Sequence, residues 1–335
     1  MTPAKHLTDG YCVLLCAHNG AAYLTDQLNS ILQQGVPPAR VLFFEDNSLD
    51  DTLAVARSFT DRLPIEFVQL EKRRSGAAGA FDAILTYAAR SPLAFAYYFL
   101  CDQDDIWEPF KAERLLEQLA RVPTDTPGLA HSELSCFGSA AAGRALLHES
   151  LGHVAFESSP ERPLRTLLFE NVVVGASTAF NRALLERAVP MPLSAFMHDW
   201  WLAIACVAHG GEIHYVSEPL VRYRIHHNST VGRSGNFLHA LPRRLQALRR
   251  GLSDPWLRSV SEQLLGLPFG GAALPAPFFE PMLSESQTLF RDTSAPRRYR
   301  AWRALRQNRI WAVASKDAYY KTRLFTDHVV RQAPL

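Results

Sequence analysis

Short apolar runs alternate with helix-like patterns over the first hundred residues of the chain. The runs are apolar throughout rather than at every second position, and they cover residues 11–17, 41–45, 65–70 and 95–101. Between the first two runs, Leu24, Leu28 and Ile31 recur at helical spacing. Continuous apolar strands joined by helical crossovers are typical of a parallel sheet that is buried on both faces. The pattern therefore predicts an α/β fold.

The same patterns predict the later elements and divide the chain into two parts. A helix is expected to begin at Ser48, because its spacing to Asp51 fits a capping box. Further expected elements are a helix at 79–89, a strand at 129–137, helices at 181–188 and 197–211, and one or two strands within 213–223. From about residue 236 the strand pattern stops and arginine-rich helical patterns follow. We therefore expect an α/β domain over 1–235 and a basic helical module over 236–335.

Polar residues stand directly after three of the predicted strands. In open α/β sheets, ligands bind beyond the carboxyl ends of the strands, so these residues are expected to share one site. They are His18 and Asn19 after the first strand, Asp46 after the second, and Asp102, Asp104 and Asp105 after the fourth.

The string DQDDIW, residues 102–107, is the most informative of these. Three carboxylates within four residues repel one another unless a cation or hydrogen-bond donors offset their charge. Mg²⁺ or Mn²⁺, which prefer oxygen ligands and leave room for a diphosphate, would suit the string. Two alternatives stay open: an acidic turn that caps the helix beginning near Pro109, and the strand-end D-x-D of a haloacid-dehalogenase-like phosphatase.

Asp46 has an alternative of its own, an Asx turn that leads to Ser48. Its position favours a binding role, since it follows the second predicted strand just as His18 follows the first. An imidazole ring, a carboxylate for a base N–H group and a metal for a diphosphate together suit a nucleoside diphosphate.

The order of motifs CAHNG, EDNSLDDT, SGAAGAF, FLCDQDDIW, FNRALL, MHDWW and YRIHHNSTVG resembles the family 2 glycosyltransferases of GT-A fold. The likeness is greatest to their bacterial rhamnosyltransferase-like branch, and it covers residues 11 to about 233. DQDDIW followed about a hundred residues later by HDWW is its most specific part. The resemblance implies a Rossmann-like, mostly parallel sheet that binds a nucleotide-diphospho-sugar.

The resemblance also implies roles for individual residues. Cys16, His18 and Asn19 fall in the loop that touches the nucleotide, and Asp46 matches the Asp that holds the edge of a pyrimidine. Asp102 and Asp104 match the D-x-D motif, with Asp104 as the direct metal ligand. Asp199 matches the catalytic base, and His226 matches a His near the diphosphate and metal in some relatives. Trp107 and Trp200 offer apolar faces suited to sugar rings.

Several positions depart from the family pattern or allow a plainer role. Glu45 and Asn47 replace the first Asp and the Gly of the DDGS motif, and SGAAGAF lacks the Asn that many relatives carry before Gly76. Arg73 and Arg74 could reach the diphosphate or could be solvated. Asp199 could be only a helix cap, and His226 with His227 could be a surface pair.

The implied activity is an inverting, metal-dependent transfer of a rhamnose-like or other hexose to a hydroxyl of a glycan or lipid-linked glycan. The expected donor is dTDP-rhamnose or a UDP-sugar, with Mg²⁺ or Mn²⁺ as cofactor. A sugar-nucleotide-binding protein without turnover is the alternative outside enzymology.

Charge separates the two predicted parts of the chain. The net charge of +2 over 335 residues combines 19 basic and 26 acidic residues up to residue 235 with 16 and 7 after it. The basic module could cap the catalytic domain or contact an anionic membrane peripherally. It contains no recognised nucleic-acid-binding module, and the acidic first part argues against such a partner.

Cysteine content and hydropathy bear on the compartment. Five cysteines without a CxxC pair favour a reducing environment, and no apolar run reaches the roughly 18 to 20 residues of a spanning helix. We expect a cytoplasmic protein, with the inner face of the cell membrane as a site of peripheral contact.

Overall fold

A computed structural model describes residues 6–138, 171–193 and 195–225, together with Leu167 and a few isolated positions between 288 and 304. In these ranges the strands are β1 His6–Ala17, β2 Arg40–Glu45, β3 Ile65–Val68, β4 Leu93–Cys101, β5 Ile106–Trp107, β6 Gly128–Phe137, β7 Thr178–Asn181 and β8 Glu212–Arg224. The helices are α1 Ala21–Leu32, α2 Thr52–Arg57, α3 Gly76–Arg90, α4 Lys111–Leu119, α5 Arg182–Ala188 and α6 His198–Ala208. The basic module predicted over 236–335 lies almost wholly outside the described residues.

The eight strands form one mixed sheet in the order β3-β2-β1-β4-β7-β6-β8-β5. The first four strands of the chain are parallel neighbours, as the apolar runs predict. β7 is antiparallel to both β4 and β6, and β5 is antiparallel to β8. The sheet is therefore mostly but not wholly parallel, which matches the GT-A fold that the resemblance implies.

The antiparallel direction of β7 places one short segment at the edge where the parallel strands end. A 3₁₀ turn at Gly175–Ser177 leads directly into β7. Since β7 runs back along β4, this turn lies level with the carboxyl end of β4 rather than at the opposite edge. The reversal brings a backbone turn beside the acidic string.

Apolar side chains pack on both faces of the sheet. In β1, Cys12, Leu14 and Cys16 belong to the core under α3, α5 and α6, while Tyr11, Val13 and Leu15 belong to the core under α1, α2 and α4. Every residue of α6 is buried, and a helix that is apolar on all sides belongs in a protein interior. This double coverage fixes the strand ends, and with them the loops that follow.

The capping box predicted at Ser48 does not form. α2 begins at Thr52, and the Thr52 N–H donates to Asp50 Oδ1 at 3.1 Å. The Ser48 hydroxyl instead accepts the backbone N–H of Asn19 at 2.9 Å. Ser48 therefore joins the loop after β1 to the loop after β2.

In the described ranges, no helix combines the length and the apolar character needed to cross a bilayer.

Asn181 is a structural junction whose loss should destabilise the fold. Its Oδ1 accepts the N–H groups of Leu184, where it caps α5, and of Gly128, where β6 begins; its Nδ2 donates to Thr126 at 2.7 Å. Asn181→Ala should lower the free energy of unfolding by about 2 to 4 kcal/mol, because it removes a cap and leaves a buried N–H without an acceptor. Urea denaturation measures this. Asn29→Ala, the same truncation within α1, should change stability by less than about 0.5 kcal/mol; equal effects at both positions would contradict the assignment.

Candidate active site

The loops after β1 and β2 are joined by side-chain hydrogen bonds. The Asn19 amide oxygen accepts the N–H of Leu49 at 2.7 Å, and the Gly20 N–H donates to the Thr52 hydroxyl at 2.8 Å. Asn19 adopts a left-handed backbone with φ of 49°, a conformation that Asn tolerates better than most residues. Together with the Ser48 contact, these bonds hold the two loops as one unit.

His18 is held in one tautomer at this junction. Its Nδ1 lies 2.6 Å from the carbonyl oxygen of Asp46, so Nδ1 carries the proton and donates. Its Nε2 accepts from the Asn19 amide at 3.0 Å. The ring is exposed and fixed in orientation, which leaves its faces available to a flat ligand.

Gln103 connects the loop after β1 to the acidic string after β4. Its Oε1 accepts the His18 N–H at 2.7 Å, and its Nε2 donates to the His18 carbonyl at 3.0 Å. A Cβ at position 20 would lie 2.1 Å from Gln103 Oε1, so Gly20 leaves the room that this contact needs. The three strand ends that bear the predicted polar residues therefore converge, as the sequence predicts.

Asp46 forms a close ion pair that sequence analysis did not anticipate. Lys72, which follows β3, lies 2.5 Å from the Asp46 carboxylate, and both side chains are largely buried. The pair presents an acceptor and a donor side by side at the end of β2.

The acidic string combines carboxylates in different states. Burial, followed by the charges of Asp104 and Asp199, raises the pKa of Asp102 to about 7. Burial and the neighbouring Asp104 and Asp102 raise the pKa of Asp105 well above its ordinary range. Burial and the neighbouring charges thus disfavour the ionised forms of Asp102 and Asp105.

Two basic side chains lie beside this string, Lys111 from α4 and Arg224 from the end of β8. Lys111 on α4 is fully buried and donates to the carbonyl of Ala176 at 2.6 Å, with its ammonium 3.4 Å from the centre of the Trp107 ring. Burial lowers its pKa to about 7, against the opposing effects of Cys101, Asp105 and Asp102. Arg224, at the end of β8, donates to the carbonyl of Asp104 at 2.7 Å.

Asp199 lies in the first turn of α6 and is 6% exposed. Its Oδ2 accepts the N–H of Gly175 at 2.8 Å, and its Oδ1 accepts from the Asn171 amide at 3.0 Å and from the Trp200 N–H at 2.6 Å. Burial nevertheless raises its pKa to about 6, and the three donors only limit the rise. A carboxylate held this firmly and titrating this high is suited to accept a proton near neutral pH.

Asp199 faces the acidic string. It contributes to the raised pKa of Asp102, and the charges of Asp105, Asp102, Asp104 and Asp199 all act on Tyr223 of β8. The turn at Gly175–Ser177 connects Asp199 to Lys111 beside the acidic string. Lys111 donates to the carbonyl of Ala176, and the N–H of Gly175 donates to Asp199. The described residues thus form one site from β1, β2, β4, β8 and α6.

The donor set at β4 fits a hard divalent cation. Asp102 and Asp104 supply oxygen ligands, and the buried Asp105 Oδ2 has no hydrogen-bond partner among the described residues. In that part of the chain, no three His, Cys, Asp or Glu side chains are arranged to hold a metal unaided. Mg²⁺ and similar ions are commonly bound by one or two carboxylates plus substrate phosphates, so the donor set matches that mode.

Comparison with known proteins bears on the part of the chain that carries these loops. Residues 12–130, about a third of the chain, match the model for glycosyl transferase family 2. That segment is similar to the family 2 glycosyltransferases.

Two relatives that the chain resembles carry glycosyltransferase names. The chain is 25% identical over 221 residues to an uncharacterized glycosyltransferase of Nostoc sp., a match that covers 64% of each protein. It is 23% identical over 220 residues to a protein of Bacillus subtilis named as a teichuronic acid biosynthesis glycosyltransferase, TuaG, covering 65% of this chain and 79% of TuaG. The match thus spans less than two thirds of the Nostoc protein.

Similarity to solved structures supports the GT-A fold. S. aureus TarS 1-349 in complex with UDP-GlcNAc superposes with a TM-score of 0.56 at 14% identity, covering 88% of this chain and 79% of TarS. A mannosyltransferase of Pyrobaculum calidifontis in complex with GDP-Man and Mn²⁺ gives a TM-score of 0.50 at 20% identity, covering 93% and 78% of the two chains.

Several contacts predicted from the sequence are wrong in detail. Trp107 and Trp200 are 2% and 1% exposed, so they pack in the core and offer no face to a sugar. The Cys16 side chain also lies in the core, where burial raises the pKa of its thiol. These three residues directly adjoin functional loops, but their side chains point into the two apolar layers.

Arg73 and Arg74 do not point free into the site. Arg73 pairs with Asp82 through two nitrogens and also donates to the carbonyl of Met191 at 2.6 Å. Arg74 donates to the carbonyl of Ala195. Both arginines therefore hold the segment that leads into α6 and Asp199. His226 lies outside the described residues, so its predicted metal role stays a prediction.

Sequence analysis missed four residues that shape the site: Asn171, Gln103, Lys111 and Lys72. Gln103 stands between two predicted ligands, and this position was a usable signal. Asn171, Lys111 and Lys72 lie in unremarkable local sequence, and only the folded chain brings them to the carboxylates.

Removing the Asn171 amide should raise the pKa of Asp199. A hydrogen bond to the ionised carboxylate stabilises the charged form, so Asn171→Ala should move the pKa from about 6 upward by roughly one unit. Carbon-13 NMR titration of labelled aspartate carboxyls, assigned with Asp199→Asn, measures the change. Ser177→Ala, which removes a hydroxyl from the same turn without touching Asp199, should leave it unchanged. An unchanged or lower pKa in Asn171→Ala would contradict this account.

Proposed function

We propose that this protein is an inverting, metal-dependent glycosyltransferase. It moves a hexose from a nucleoside-diphosphate sugar to a hydroxyl of a glycan or lipid-linked glycan. The observation that carries the proposal is the Asp199 carboxylate, held by three N–H donors with its pKa raised to about 6, facing the acidic string that ends β4. The family 2 match over residues 12–130 supports this reading over the phosphatase alternative.

Asp199 is the proposed base. A sugar hydroxyl is a weak acid, so its proton leaves only as its oxygen forms the bond to the anomeric carbon. Asp199 takes that proton during the attack, while the bond from the anomeric carbon to the diphosphate breaks on the opposite face. This geometry inverts the anomeric centre. General base catalysis of this kind is typically worth 10² to 10⁴ in rate.

Asp104 and Asp102 are the proposed ligands of Mg²⁺ or Mn²⁺ beside the diphosphate, with His226 as a further candidate. When bound there, the cation supplies Lewis-acid stabilisation of the charge that develops on the leaving diphosphate. Binding of Mn²⁺ with GDP-Man by the P. calidifontis mannosyltransferase supports this part of the proposal.

The nucleotide is proposed to lie across the ends of β1 and β2. The fixed imidazole of His18 offers a face for stacking, and Asn19 holds the loop that presents it. Asp46, paired with Lys72, offers polar groups to the edge of the base. A rhamnose-like sugar on dTDP or UDP remains the proposed donor, and the match to TuaG, which is named for teichuronic acid biosynthesis, supports a polysaccharide as the acceptor class.

Replacing the proposed base should abolish turnover but not donor binding. Asp199→Asn should lower kcat by at least 100-fold, because the amide accepts no proton, while donor affinity stays within about threefold. Initial rates measure the first, with a donor found by thermal-shift screening of UDP-, dTDP- and GDP-sugars. Asp61→Asn, an exposed position between α2 and β3, is the matched control.

Two outcomes would contradict the enzymatic assignment. More than a tenth of wild-type kcat in Asp199→Asn would remove Asp199 as the base. A wild-type protein that binds the donor, yet neither transfers nor hydrolyses the sugar, would support the binding-protein alternative.

Removal of divalent metal should stop transfer. EDTA treatment should reduce the rate by more than 100-fold, because the leaving diphosphate loses its counter-charge, and added Mg²⁺ or Mn²⁺ should restore it. Initial rates before and after metal addition measure the effect, with Ca²⁺-saturated EDTA as the control for the chelator. Full activity in metal-free protein would remove the role assigned to Asp104.

A further inference from the structure

The acidic turn, residues 102–105, joins β4 to β5 and has no regular secondary structure of its own. Arg224, at the end of β8, contacts this turn through two hydrogen bonds. The backbone N–H of Arg224 donates to Asp105 Oδ1 at 2.9 Å, and its side-chain Nε donates to the carbonyl of Asp104 at 2.7 Å. Arg224 therefore hydrogen-bonds two successive residues of the turn, one through its backbone N–H and one through its side chain.

The Arg224 side chain is itself held rigidly. Its Nη2 pairs with Asp26 of α1 at 2.9 Å, and its guanidinium lies 4.5 Å from the centre of the Phe137 ring and 4.9 Å from that of Tyr23. Only 15% of the side chain is exposed. Contacts from α1, from β6 and from the acidic turn leave the guanidinium little freedom to move, so it can fix the peptide that it binds.

We propose that Arg224 is a positioning residue for the divalent cation, setting the orientation of the Asp104 carboxylate through the Asp104 peptide. The inference rests on the proposed function, because it takes Asp104 as a metal ligand. A carboxylate next to a fixed peptide group has fewer orientations to lose when it binds an ion, so affinity rises.

The backbone and side-chain hydrogen bonds of Arg224 can be separated by mutation. Truncating the side chain leaves the backbone N–H of Arg224 on Asp105 in place, while it removes the bond to the Asp104 carbonyl together with the ion pair to Asp26 and the ring contacts. Since groups that orient metal ligands typically contribute 10- to 100-fold to metal affinity, a loss of that size is expected. Arg222 serves as the matched control, because it lies two residues away on β8 and its guanidinium also contacts the Phe137 ring, at 4.9 Å.

The experiment measures Mn²⁺ binding to the 335-residue chain by electron paramagnetic resonance of the free ion, with Mn²⁺ alone and with Mn²⁺ plus UDP. Arg224→Met should weaken binding about 10- to 100-fold. Arg224→Lys, which keeps the charge but lacks Nε, should weaken it by a smaller factor. Arg222→Met should stay within threefold of wild type, and so should Asp26→Asn, which removes only the outer ion pair. Thermal unfolding of each variant shows whether it is folded.

The possible results separate this inference from the proposed function. Wild-type binding of Mn²⁺ with equal binding by folded Arg224→Met or Arg224→Lys would overturn the role of Arg224 and leave the metal-dependent transferase standing. A lowered melting temperature with unchanged Mn²⁺ affinity would show a merely structural role and also overturn it. Failure of the wild type to bind Mn²⁺ in either condition would overturn both.

Discussion

Negative charge gathered at the end of β4 is the constraint on which the rest of the site depends. Asp102, Asp104 and Asp105 could not all be ionised there without strong repulsion. The fold offsets that repulsion by bringing in Lys111 and Arg224, while burial and the neighbouring carboxylates raise the pKa of Asp105. Arg224 lies 119 residues beyond Asp105 in the chain, so the acidic turn takes its final form only after β8 has joined the sheet.

The same charges make stability depend on pH in a definite direction. The folded-state pKa values of Asp199, about 6, and Asp102, about 7, lie above the ordinary 3.8. Folding is therefore favoured while both are protonated, and that contribution is lost as pH rises from about 4 to about 7. Transfer by the proposed mechanism needs both groups ionised. The proposed reaction therefore needs a pH at which the ionised carboxylates lower the stability of the fold. A cation bound at Asp102 would reduce that loss of stability.

Sequence analysis could predict the parts that local pattern determines. Continuous apolar runs gave β1 to β4 and their parallel pairing, and polar residues after those runs gave the converging loops. Side-chain direction was not determined in this way: Trp107 and Trp200 adjoin functional loops, but both enter apolar layers. The direction of β7 could not be predicted either, because the apolar pattern of a four-residue strand is the same whether the strand pairs in parallel or antiparallel. Ion pairs such as Asp46 with Lys72 depend on which loops meet, and that is a property of the whole fold.

The two sides of the proposed reaction centre are mechanically connected through one buried lysine. Lys111 faces the acidic string and binds the carbonyl of Ala176, while the preceding residue, Gly175, donates its N–H to Asp199. A Cβ on Gly175 would come within 2.8 Å of the His198 ring, so this turn packs closely against the start of α6. A displacement of the acidic string would therefore move the Gly175–Ser177 turn, and with it the Asp199 carboxylate. Such a connection keeps the proposed metal and the proposed base in register, which a displacement at a single carbon requires.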